Sequence, residues 1–233
     1  MSTVTYSERR KFLQSYFDRT AFDAWKQLTS DTPVSKIRAT VRAGRDRMRA
    51  QLMSWLPSDL TGARLLDAGC GTGALSFEAA GRGADVIAVD LSESLIDIAC
   101  ERIPPELPDG AIDFRVGDML DPDFGDVDHV VAMDSLIHYE TCDIVAALTG
   151  LARRTSGSII FTVAPRTTIL ALMHTAGRAF PRVDRAPAIV PVAEQDLRSR
   201  IADEGRLGDW QLGRTARVTT GFYKSQAFEL VRR

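Results

Sequence analysis

The sequence predicts an α/β protein on a doubly wound, mostly parallel seven-stranded sheet, and three observations carry that expectation. From Arg64 onward, short apolar runs alternate with helical patterns, the signature of repeated strand–helix units. Successive runs end in carboxylates, Asp67, Asp90, Asp118 and Asp134, as ligand-binding strands of open sheets do. The chain then closes with two long alternating stretches, 210–218 and 222–231, joined through Thr219-Thr220-Gly221, which read as an antiparallel pair.

Ahead of that domain, residues 6–29 read as a helix striped with aromatics: Phe12, Tyr16, Phe22 and Trp25. Ser30-Asp31-Thr32-Pro33 breaks it, with Asp31 or Thr32 as N-cap and Pro33 at a first helical position. A second helix over 34–55 is basic on one side (Lys36, Arg38, Arg42, Arg45, Arg47, Arg49) and apolar on the other (Ile37, Val41, Met48, Leu52, Trp55). Residues 1–61 thus form a helical arm or cap before a main domain over 62–233.

In the main domain strand one covers 64–68, and a helix over 74–81 follows. Strand two covers 83–90, and Ser92 caps a helix that Pro104-Pro105 stops. Strands three and four cover 112–118 and 127–134, a helix fills 141–153, and strand five covers 157–164. Residues 166–193 are an insertion at the ligand edge, rich in apolar residues and arginines, suited to a substrate lid. A weaker helix covers 194–204.

No apolar run approaches the ~18 residues of a spanning helix, and the N-terminus lacks an apolar leader core. Three scattered cysteines, Cys70, Cys100 and Cys142, argue for a reducing compartment and against a disulfide frame or zinc site. The expected location is therefore the cytoplasm. Charge is uneven: residues 85–150 hold 16 acidic and 2 basic residues, between flanks in which basic residues predominate. Such a middle attracts a cationic ligand and makes nucleic acid a poor partner.

Asp67-Ala-Gly69-Cys70-Gly71-Thr-Gly73 joins strand one to its helix, a turn where a ligand meets bare backbone. Gly69, Gly71 and Ala74 also fit the dinucleotide pattern G-x-G-x-x-A, but the Asp67 carboxylate suits an ammonium better than a pyrophosphate. Asp90, with Leu91 beside it, can accept both hydroxyls of a ribose. Asp118 can accept an adenine amine, with Met119 against the ring. Met133-Asp134-Ser135 closes the fourth strand end. Together these fit an adenosine ligand with an amino-acid tail, and the surrounding carboxylates favour a sulfonium over its neutral product.

This pattern resembles the class I S-adenosylmethionine-dependent methyltransferases, Rossmann-like proteins whose seven-stranded sheet ends in such a hairpin. Tyr16-Phe17, Phe22-Asp23-Ala24-Trp25, the glycine turn, Leu136-Ile137-His138-Tyr139 and Phe180-Pro181 resemble, more narrowly, the magnesium-protoporphyrin IX O-methyltransferase family. The resemblance implies methyl transfer from S-adenosylmethionine to a propionate of magnesium-protoporphyrin IX in chlorophyll or bacteriochlorophyll synthesis, with S-adenosylhomocysteine as second product. It implies cofactor contacts at Asp67, Gly69, Cys70, Gly71, Gly73, Asp90, Leu91, Asp118, Met119, Met133 and Ser135, and catalytic positioning by His138 and Tyr139. Substrate contacts are expected from Tyr16, Trp25, His174, Arg178 and Phe180, with His174 a candidate axial ligand to the pigment's magnesium. No protein-bound metal is expected. An interaction with the magnesium chelatase large subunit and peripheral association with photosynthetic membranes are also implied. Many family members carry a tyrosine where this chain has Thr29, so no contact of that tyrosine is carried over. Three other readings stay open at this point: a methyltransferase of another hydrophobic acid or quinone, a nucleotide-dependent dehydrogenase, and a non-catalytic tetrapyrrole binder.

Overall fold

The computed structural model describes residues 6–19, 36–108, 111–166 and 189–233. Its strands are β1 (Arg64–Ala68), β2 (Asp85–Asp90), β3 (Ile112–Val116), β4 (Val127–Ala132), β5 (Thr155–Val163), β6 (Trp210–Thr220) and β7 (Tyr223–Arg232). They form one sheet in the order β3-β2-β1-β4-β5-β7-β6. All pairings are parallel except those of β7, which runs antiparallel to β5 and β6. The order reverses between β1 and β4, so the crevice beyond their carboxyl ends is the natural ligand site.

The central strands are apolar on both faces, as a sheet covered on both sides requires. Leu66 and Ala68 of β1, Val130 and Ala132 of β4 and Ile159 and Phe161 of β5 build one core. Their alternating neighbours Leu65, Val131 and Ile160 build the other. The first face is covered by α5 (Thr141–Ala152) and α6 (Glu194–Asp203), the second by α2 (Lys36–Met53) and α3 (Ala74–Gly81). Met48, Leu52 and Met53 of α2 are fully buried against that second face, so half of the expected arm is part of the domain's core. The other helix, α1 (Tyr6–Arg19), meets α4 (Glu93–Glu101) near the sheet's carboxyl edge.

Several boundaries differ from expectation for local reasons. Strand β4 stops at Ala132, because Asp134 adopts a left-handed backbone, φ +56°. The hairpin turns on Gly221-Phe222, so β6 runs on to Thr220, and Gly221 supplies the positive φ that a two-residue loop needs. The expected first helix beyond Arg19 and the N-cap expected for the second helix lie outside the described residues, as does most of the insertion. The insertion's ends lie together: Val192 donates to the Ala164 carbonyl, and Arg166 donates to that of Val192, each at 2.8 Å.

Candidate active site

One cleft opens at the reversal point, walled by the turns after β1, β2, β3 and β4 and by single residues of α1 and α2. The turn after β1 is made by glycine. Gly69 has φ +87°, and a Cβ there would lie 2.4 Å from the Ser135 Cβ, so the β1 and β4 turns touch only because Gly69 lacks one. Gly71 has φ +56° and nothing within 4 Å of a Cβ position, leaving bare backbone at the cleft.

Asp90 sits between that turn and α4. Its two oxygens accept the N–H groups of Gly71 at 2.9 Å and Ser92 at 3.0 Å. A carboxylate has about four acceptor positions, the number that two backbone N–H groups and two vicinal hydroxyls would use together. The Ser135 hydroxyl oxygen is buried without a hydrogen-bond partner among the described residues, and Ser135 lines the same cleft. A polar ligand would satisfy it. These two features fit the donor and acceptor set of an adenosine carrying an amino-acid tail.

Beyond β3, Gly117, Asp118 and Met119 form the third wall. The Arg154 guanidinium donates to the carbonyls of Met119 and Asp121 and so ties this turn to the end of α5. Asp118 accepts the Leu120 N–H at 3.0 Å and pairs with Arg10 of α1 at 2.7 Å. A purine amine at Asp118 would therefore share the carboxylate with Arg10. Arg9 donates to the His138 carbonyl at 2.6 Å, and Leu13 of the same helix reaches the cleft. Tyr16, one turn beyond Leu13, is half-buried but not on the cleft wall.

The fourth wall holds Met133, Asp134, Ser135, His138 and Tyr139. His138 ends a short 3₁₀ turn, Leu136–His138, and is 9% exposed, while Tyr139 is 1% exposed. Val190, on the returning side of the insertion, donates to the Ile137 carbonyl at 2.8 Å and braces that turn. Asp134 accepts the Tyr223 hydroxyl at 3.0 and 3.1 Å, and also the hydroxyls of Thr162 and Ser225. Burial, and then the Asp134 charge, hold the Tyr223 phenol far above its ordinary range, so it remains a neutral donor.

Of the expected cofactor residues, Gly69, Gly71, Asp90, Leu91, Asp118, Met119, Met133 and Ser135 meet around this cleft; Asp67, Cys70 and Gly73 do not line it. Asp67 is still within β1, where side chains stand perpendicular to the sheet. It points with Leu65 toward α3, is 1% exposed, and accepts the Ser76 hydroxyl at 2.6 Å. Desolvation, with smaller contributions from the Asp67 and Asp90 charges, pushes the Cys70 thiol well up, leaving no thiolate nucleophile there. Trp25, His174, Arg178 and Phe180 lie outside the described residues. His129, inside β4, is bonded to Ser158 at 2.9 Å and stands away from the cleft. The sequence reading missed Leu13, Arg45, Val89, Leu95 and Gly117 as lining residues. The strand-end rule signals Val89 and Gly117; Leu95 comes from the first turn of α4, and Leu13 and Arg45 arrive by tertiary docking alone.

Burial lifts the Asp67 carboxyl to about 7; the Ser76 hydrogen bond opposes this and the Asp90 charge adds to it. An unfolded carboxyl titrates near ~3.9, so the folded chain holds this proton more tightly. The stability it contributes is fully present below about pH 4 and is lost as pH rises through about 7, by at most ~4 kcal/mol. Asp67→Asn should therefore gain in Tm relative to the parent between pH 4.5 and 7.5. Parallel Tm-against-pH curves for the two proteins would show that Asp67 does not titrate in this range.

Two family models match: "Methyltransferase domain" over residues 65–156 and "Magnesium-protoporphyrin IX methyltransferase C-terminus" over 132–232. The chain is 51% identical to a magnesium-protoporphyrin O-methyltransferase of Rhodobacter capsulatus, across 96% of this chain and 97% of that one. It is 30% identical to the protein of the same name from Synechocystis, across 96% of each. The crystal structure of magnesium protoporphyrin IX methyltransferase (ChlM) from Synechocystis PCC 6803 with bound SAH superposes with a TM-score of 0.84 at 29% identity, covering 97% of this chain and all of that one. Sheet order, cleft and kinship along nearly the whole length agree: the chain belongs to the magnesium-protoporphyrin O-methyltransferase family of class I S-adenosylmethionine-dependent methyltransferases.

Proposed function

We propose that this protein methylates one propionate of magnesium-protoporphyrin IX, giving the monomethyl ester of chlorophyll or bacteriochlorophyll synthesis. The observation that carries this reading is a cleft with a cofactor side at Asp90 and Ser135 and an acceptor end at His138, in a chain 51% identical to a protein of that name. When bound, S-adenosylmethionine supplies a methyl group on a sulfonium: a propionate oxygen forms the C–O bond as the C–S bond breaks, and its electron pair stays on sulfur.

A propionate is ionised at neutral pH, with a free pKa near ~4.3 by analogy to Glu, so the chain need supply no base. Its residues have to align the acceptor and keep water out. His138 suits this task, because its backbone is held by Arg9 while its ring stands at the cleft wall and can donate to the non-attacking oxygen. Tyr139 lines the same wall and is almost fully buried. Tyr16 on α1, with Trp25, His174, Arg178 and Phe180, supplies the pigment's contacts in this reading. The described ends of the insertion lie at the end of β5, beside the His138 turn, which supports a role for it at the acceptor end. Among the described residues no helix is long and apolar enough to cross a membrane. We assign delivery of the pigment to peripheral contact with photosynthetic membranes and with the magnesium chelatase large subunit, through the exposed basic side of α2 at Arg38 and Arg47.

The test is radiolabel transfer from S-adenosylmethionine to magnesium-protoporphyrin IX by the purified protein, alongside metal-free porphyrin and a panel of hydrophobic acids and quinols. A base-labile ester on the magnesium porphyrin is expected. Transfer to another acid or quinol but not to the porphyrin would overturn the substrate assignment.

A further inference from the structure

We propose that Arg45 binds the carboxylate that accepts the methyl group, and so makes the cleft tell the acid from its ester. This rests on the reading of the acceptor as a carboxylic acid. The cleft is a poor host for an anion: Asp90, Asp118 and Asp134 all line it. Among the described lining residues Arg45 is the one permanent cation. An anionic acceptor entering this space without it would meet like charge after β2 and β4, and after β3, where Asp118 already pairs with Arg10.

The arginine is held in place by a built arrangement. Gly44, the residue before it, lies inside α2, where glycine costs helix stability. A Cβ at Gly44 would lie 2.5 Å from the Tyr223 ring, so α2 rests directly on that ring. The hydroxyl of the same ring is donated to Asp134, and the Asp134 carboxylate lies 4.0 Å from the Arg45 guanidinium. At that distance Asp134 holds Arg45 by charge and not by a hydrogen bond. Asp134 is already supplied by Tyr223, Thr162 and Ser225. The planar guanidinium, with five N–H donors, has the geometry to take a substrate carboxylate edge-on.

This arrangement also moderates the pairing. A lone guanidinium would bind the carboxylate tightly and blunt its nucleophilicity. One whose charge is shared with Asp134 steers and aligns the acid with less cost to reactivity. Once the acceptor carboxylate is esterified its charge is gone, so the hold of Arg45 on that group is gone too, and the ester is released.

The experiment is fluorescence titration of magnesium-protoporphyrin IX and of its dimethyl ester into the intact protein, Arg45→Gln and Arg45→Lys, with S-adenosylhomocysteine binding followed by calorimetry. The parent should bind the diacid at least ~10-fold more tightly than the diester. Arg45→Gln should lose that preference through a ~10- to 100-fold weaker diacid, while its diester and S-adenosylhomocysteine affinities stay within about two-fold. Arg45→Lys should recover part of the preference, and the turnover defect should fall mainly on the porphyrin KM. An undiminished acid preference in Arg45→Gln overturns the inference, as does equal weakening toward acid, ester and S-adenosylhomocysteine, which marks a structural role. A parent protein that esterifies no porphyrin overturns the functional reading instead.

Discussion

Asp90→Ala is expected to weaken S-adenosylhomocysteine binding by at least ~100-fold, because two kinds of contact go together. The carboxylate accepts the Gly71 and Ser92 N–H groups, which set the glycine turn against the start of α4. In the proposed site it would also accept the ribose hydroxyls. Hydrogen bonds to a charged group are worth about 1.5–3 kcal/mol each, so losing two toward the ligand already spans two orders of magnitude. Asp90→Asn should fall between, since an amide keeps one acceptor but turns a donor toward one of those two N–H groups. Calorimetry with S-adenosylhomocysteine is the measurement, and a change of less than about five-fold in the alanine variant would detach Asp90 from the nucleoside site.

Gly69→Ala is expected to be the most destabilising single change in the turn. The added methyl meets the Ser135 Cβ at 2.4 Å, and the φ of +87° is one that L residues rarely adopt. Overpacking costs about 1–3 kcal/mol and the backbone strain about 1–2 kcal/mol. Together they predict a fall in Tm of roughly 5–15 °C for a chain of this size. Gly71→Ala separates the two uses of glycine. Nothing stands near its Cβ position, so stability should fall only by the strain, while the methyl projects toward bare cleft and ligand affinity drops. Thermal denaturation with and without S-adenosylhomocysteine distinguishes them: Gly69→Ala loses the apo Tm, and Gly71→Ala chiefly the ligand-induced rise. Equal apo Tm values for the two variants would contradict the contact between the β1 and β4 turns.

Most of the sheet was legible because buried parallel strands need apolar residues on both faces, and glycine, proline and strand-end carboxylates punctuate them. The cleft followed from the same rule, since Asp90, Asp118 and Ser135 all stand where strands end. Asp67 shows the limit of that rule. One residue short of the end of β1, it obeys the strand's alternation and turns toward Ser76 on α3. Asp134 was legible as a strand-end acid, but its partners were not, because Tyr223 and Ser225 lie 89 and 91 residues away. Arg45 was hidden among the basic residues of its helix. Only the contact of Gly44 with Tyr223 selects it, and no local pattern encodes that contact.

Helix α1 has a kinetic meaning. It lays Leu13 into the cleft and is tied to the wall beneath by Arg10 at Asp118 and Arg9 at the His138 carbonyl. A nucleoside bound against that wall is expected to leave more slowly while both arginine contacts hold. The arginine–carboxylate tie weakens with salt. Raising ionic strength should therefore shorten the residence time of the spent cofactor, and under saturating substrates it should quicken turnover wherever product departure is the slow step.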